Sequence, residues 1–199
     1  MMLSTIGCLP ADDGGDGDDT EVISRLRLSF TPQDGGAPVL AMFDDPDGDG
    51  GVSGTADAIT LPDGETFELA VELLNALVDP PVDITAEVEA EAEHHQVLVL
   101  GDAVHGPASS SSAALLEHAY ADRESDYGEN AVGEDLPVGI RSTVVTERAG
   151  TGSLRVMLRH MPPLGGVPQK TADVAELAAT DRPLPGDVDA DVTFTLTVQ

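Results

Sequence analysis

The residues of this chain best suited to bind something are His95 and His160, with Glu91 close to the first in sequence. A neutral imidazole offers a nitrogen lone pair near pH 7, which makes histidine a ready ligand for zinc or copper. Glu91 precedes His94 by three residues and His95 by four, and Glu-x-x-His is a metal-ligand spacing when both side chains share a helix face. Such a pair needs partners from another element, and His160 supplies one. In the segment 153–161 it shares parity with Leu154, Val156 and Leu158, while His95 shares parity with Val97 and Val99. Both rings are therefore expected at the rims of core faces, where they could meet and hold zinc or copper with Glu91 and His94 as further candidates. The same positions also suit histidines that only hydrogen-bond to a loop carbonyl.

A second string of ligand-type residues is Asp45-Pro46-Asp47-Gly48-Asp49-Gly50. Carboxylates at alternate positions in a tight loop can turn inward on a hard cation, so Asp45, Asp47 and Asp49 are candidate calcium ligands. An EF-hand would carry Glu at the twelfth loop position, and Ala56 stands there. An acidic chain also produces such strings in its turns by composition alone. Catalytic signatures are absent: there is no GxSxG, no phosphate-cradling Gly-Lys-Ser/Thr loop, no HExxH and no CxxC. The chain reads as a non-enzyme, and a hydrolase using His and Glu as base and acid is the weaker alternative.

The elements that must position these residues read as β. Leu26, Leu28 and Phe30 alternate with Arg25, Arg27 and Ser29 to give a half-buried strand. The run 37–43 is a second strand, and 54–61 and 66–74 are two more around the Pro62-Asp63-Gly64 turn. Asp83 to Glu93 breaks the rhythm: a capping residue precedes an Ala/Glu-rich run with Ile84 and Val88 one turn apart, so a short helix is expected to feed a strand over 96–100. Strands resume near 117–122, 139–147 and 153–161. The serines 109–112 and the Pro/Gly-rich stretch 162–187 read as loops, the latter with a weak helix near 174–178. In the last strand Val188, Ala190, Val192, Phe194, Leu196 and Val198 share one parity. This pattern predicts an all-β fold, an antiparallel, immunoglobulin-like β-sandwich spanning 21–199 with one short helix.

Composition narrows the partners. Acidic residues outnumber basic ones 37 to 9 over 199 residues, a net charge of -28, and Lys170 is the single lysine. Nucleic acid is excluded, because binding a phosphate backbone requires Lys or Arg to displace counterions. Low lysine with abundant Asp and Glu suits a saline habitat, where a short Debye length suppresses self-repulsion. Aromatic residues make up 3% with no tryptophan, which leaves little for a stacking platform. No apolar run approaches the ~20 residues of a membrane helix. The only cysteine, Cys8, follows small residues and precedes an Asp/Gly-rich stretch, as at a bacterial lipoprotein cleavage site. Residues 1–20 are thus expected to be a truncated signal and lipobox followed by a disordered acidic tether, with a lipid anchor on Cys8.

"DITAEVEAEAEHHQVLV", "GTGSLRVMLRHMP" and the Val/Thr-rich last strand, following the Cys8 context, resemble a family of small outer-membrane lipoproteins of Gram-negative bacteria. These carry the label "type 1 periplasmic binding fold superfamily protein" and have no characterised activity. The likeness covers about residues 20 to 199, and its most specific pieces are His95-Gln96 and Leu158-Arg159-His160 before Pro162. His94 departs from the Glu found there in relatives, and Leu98 and Val99 replace aromatics. The resemblance implies an envelope location, on either membrane face, and an associated outer-membrane uptake receptor. Its label names a two-lobed α/β fold, whereas the residue pattern predicts a sandwich. Two functions follow: a ligand- or metal-binding module, or a structural envelope domain with no small ligand. The first expects the imidazoles of His95 and His160 to be adjacent; the second expects them more than about 8 Å apart, each satisfied by its own hydrogen bonds.

Overall fold

The alternation in the first segment becomes β1 (Arg25–Pro32), with Leu26, Leu28 and Phe30 fully buried and the intervening residues facing outward. The structure, a computed structural model, describes residues 22–48, 54–129 and 133–199. The lipobox with Cys8, the acidic tether and Asp49 lie outside the described residues.

After β1 come β2 (Val39–Asp44), β3 (Thr55–Ala56), β4 (Ile59–Leu61), β5 (Thr66–Asn75) and β6 (Val82–Asp83). Helix α1 (Thr85–Ala90) leads to β7 (His95–Leu100), β8 (Val104–Gly106), β9 (Ser109–Ser110) and β10 (Leu116–Tyr120). A 3-10 turn at Glu124–Asp126 precedes β11 (Arg141–Thr146) and β12 (Gly150–His160). Helix α2 (Val174–Ala179) and β13 (Asp187–Val198) complete the order. Among the described residues these strands form two sheets. A larger one runs β3-β2-β1-β5-β11-β10-β8-β9, with β6 beside β5, and a smaller one runs β4-β13-β12-β7. The fold is an all-β sandwich, not a two-lobed α/β protein. Most neighbours are antiparallel; β8 with β10 and β4 with β13 are parallel.

One core fills the space between the sheets. It joins Leu26, Phe30, Phe67 and Leu69 of the larger sheet to Val97, Val156, Phe194 and Leu196 of the smaller. Phe30 meets Phe67 edge-on, with ring centroids 6.5 Å apart. A second cluster lies on the outer face of the smaller sheet. There Leu98, Met157 and Met161 pack under Val174 of α2. That cover explains why Gln96-Val97-Leu98-Val99-Leu100 shows no polar alternation: β7 is buried on both faces.

Several boundaries differ from expectation for physical reasons. The segment 54–61 splits, because β3 pairs with β2 in one sheet and β4 with β13 in the other, so the chain crosses between layers there. Helix α1 is shorter than 83–93. Ile84 and Val88 are buried one turn apart as expected, but Asp83 belongs to β6, and its Oδ1 accepts from Thr85 N at 3.0 Å from outside the helix. Ser109 and Ser110 form an edge strand against β8, and the weak signal near 174–178 becomes a second helix. Val188 is 45% exposed, out of parity with Ala190. The cause is a bulge: β12–β13 pairing runs Leu158↔Ala190 and then Arg159↔Val188, leaving Asp189 as the extra residue.

Candidate metal centre

Strand register brings the two histidines together. His95 opens β7 and His160 closes β12, and the two are direct cross-strand partners. Their rings stack, with centroids 4.5 Å apart and planes 8° from parallel. Glu91 stands at the C-terminal end of α1, four residues before His95. One ligand atom from each of Glu91, His95 and His160 lies within 4.8 Å of the others, the only such group of metal-ligand side chains among the described residues. The expected Glu-to-His spacing thus holds, though a turn carries it and not a helix face, because α1 ends at Ala90.

His95 is fully buried and His160 half-buried, while Glu91 is exposed. The Nδ1 of His95 lies 3.2 Å from the backbone oxygen of Glu91. A carbonyl oxygen only accepts, so Nδ1 carries the proton and Nε2 carries the lone pair. Burial pushes the His95 pKa down to about 4; the neighbouring His160 also lowers it, and the Glu91 hydrogen bond opposes them. His95 is therefore neutral at pH 7 and can bind a metal without first losing a proton. Its Nε2 makes no hydrogen bond; Oδ2 of Asp189 lies 3.7 Å away on a side chain 3% exposed.

Stacking constrains the chemistry. An imidazole lone pair lies in the ring plane, so two parallel rings cannot address one ion without a rotation. His160, half-buried at the rim, is the more exposed of the two rings. Two imidazole nitrogens and a carboxylate make a three-ligand set with a position left open, a pattern suited to zinc or copper(II) more than to calcium, which prefers oxygen.

Three further residues hold this corner in place. Lys170 Nζ donates to Ala92 O at 2.7 Å, fixing the turn between Glu91 and His95, and pairs with Glu124 Oε1 at 2.7 Å. Both partners are buried, at 1% and 3% side-chain exposure. Burial lowers the Lys170 pKa and Glu124 raises it, the usual opposition in a buried ion pair. Arg159 donates to the carbonyls of Pro185 and Gly186, clamping the chain that enters β13. Gly186 has φ 68°, and any Cβ there would collide with the His160 carbonyl, so glycine is required for this approach. Sequence reasoning missed Lys170, although a lone lysine in so acidic a chain is a signal. It also missed Asp189, which period-two counting assigns to the wet face.

Other candidates do not converge on this point. His94 is not in the group; its side chain helps line a hollow with Glu93, Met161 and Pro163. Asp45 is buried and its Oδ1 accepts from Gly48 N at 3.2 Å, while Asp47 points outward. These two belong to no metal-ligand group among the described residues, and Asp49 lies outside them. His105 is exposed beside Glu117. His118 is buried, with Nε2 2.9 Å from Ser142 Oγ. Comparison with protein-family models, curated protein sequences and solved structures finds no match, so the corner of Glu91, His95 and His160 is read from its own geometry.

Proposed function

We propose that this protein is a non-enzymatic metal-binding module of the cell envelope, taking zinc or copper(II) through His95, His160 and Glu91. The observation behind it is the cross-strand contact of two imidazoles, 4.5 Å between centroids, with a carboxylate beside them. A purely structural domain was expected to keep those rings about 8 Å or more apart. A neutral, buried His95 and a half-buried His160 match a site that is preformed at its base and adjustable at its rim. The envelope location rests on the sequence around Cys8, through which a lipid anchor would hold the chain, and on the family likeness. An uptake receptor as partner rests on that likeness alone.

Zinc titration of the whole chain by calorimetry tests the reading. The acidic surface binds divalent ions weakly anywhere, so the titration belongs in about 1 M NaCl, where the Debye length is ~3 Å. The expected outcome is one zinc per chain at micromolar or tighter affinity, weakened at least 100-fold in His160→Ala and in His95→Gln. No saturable binding in the parent chain removes the reading.

A further inference from the structure

We propose that Asp189 is a ligand of the same metal ion, bridged to His95 Nε2 through the ion. This inference rests on the metal-binding reading and names a residue that sequence periodicity had placed on the solvent side. The Nδ1 proton of His95 is engaged by the Glu91 carbonyl, so the lone pair available for a metal is on Nε2, and Nε2 faces the Asp189 carboxylate. The separation of 3.7 Å is too long for a hydrogen bond between the two atoms. It does match the span of two ligands on one ion: with metal bonds of about 2.0–2.2 Å, a 3.7 Å edge corresponds to roughly 125° at the metal. The buried His95 Nε2 makes no hydrogen bond, so its lone pair is open to an ion lying between it and Asp189.

The backbone supports the assignment. Asp189 is the extra residue of the bulge between Leu158↔Ala190 and Arg159↔Val188. Bulges re-aim a side chain, and this one sends Val188 outward and Asp189 inward. Arg159 and Gly186 fix the chain just before it. His95 and Asp189 form the buried half of the site. His160 and Glu91, nearer the surface, rotate in to complete a set of two nitrogens and two carboxylates once the ion arrives.

The test replaces Asp189 two ways and reads both affinity and coordination. Asp189→Asn is expected to weaken zinc binding at least tenfold, while the exposed neighbour Asp187→Asn leaves it within twofold. Asp189→Cys, made together with Cys8→Ser, is expected to give a thiolate-to-cobalt charge-transfer band when loaded with Co(II). Unchanged affinity in Asp189→Asn, or a folded Asp189→Cys variant with bound Co(II) and no such band, overturns Asp189 as a ligand and leaves the His95–His160 site standing. Absence of zinc and cobalt binding in the parent chain overturns both.

Discussion

His95 and His118 are two buried histidines in one sandwich, and each has one ring nitrogen hydrogen-bonded and the other without a hydrogen bond. Burial pushes both pKa values down to about 4. They differ in what surrounds the remaining nitrogen. His118 sits inside the β10–β11 ladder, bonded to Ser142 and meeting the Tyr120 ring edge-on at 5.1 Å. His95 sits at a strand end, stacked on His160 and facing Asp189, with Glu91 beside it. A depressed pKa therefore does not mark a site; both rings have one. A site requires other ligand-type groups to arrive at the same place, and strand ends allow that where ladder interiors do not.

The comparison breaks most sharply at the anchor of the His95 corner. Lys170 ties the turn before His95, whereas beside the His118 ladder a buried carboxylate, Asp122, accepts from Gly139 N, Arg141 N and Tyr127 Oη. Lys170→Met should cost about 3–5 kcal/mol in chemical denaturation, because it removes one half of a buried ion pair. The pair Lys170→Met with Glu124→Leu should recover most of that loss. Equal destabilisation of single and double variants would shift the weight to the lost Ala92 carbonyl bond.

A smaller effect sharpens the other half. His118 titrates at about 4 when folded and near 6.5 when unfolded, so between those values the unfolded chain binds more protons. Stability of metal-free protein should fall as pH drops from 6.5 towards 4, with His118 contributing up to about 3 kcal/mol at the lower end. In His118→Gln that contribution disappears, and stability curves that run parallel for the two proteins across this window would refute it.

The smallest effect concerns the surface that both regions share. With a net charge of -28, self-repulsion should be relieved as salt rises, lifting the melting temperature by on the order of 5 °C towards molar NaCl. Zinc affinity at the buried His95 corner should change far less than weak binding by surface carboxylates. A flat or falling melting curve would count against a saline adaptation.

Period-two hydrophobicity was sufficient for the sandwich and for the shared parity of His95 with Val97 and His160 with Leu158, because burying one face of a sheet forces alternation. It also brought Glu91, His95 and His160 forward as a group from spacing and parity alone. Cross-strand register, which makes His95 and His160 direct partners, depends on pairing between distant segments and has no local signature. Asp189 was illegible for the same reason: a single extra residue in β13 reverses the facing of everything before it, and only the mismatch with β12 reveals the bulge. Lys170 lies in a loop without periodicity, so its partners Glu124 and Ala92, 46 and 78 residues away, are chosen by tertiary packing and by the need to pair a charge that has left water. The chain alone determined which residues turn inward along each strand; the folded arrangement decided which of them meet.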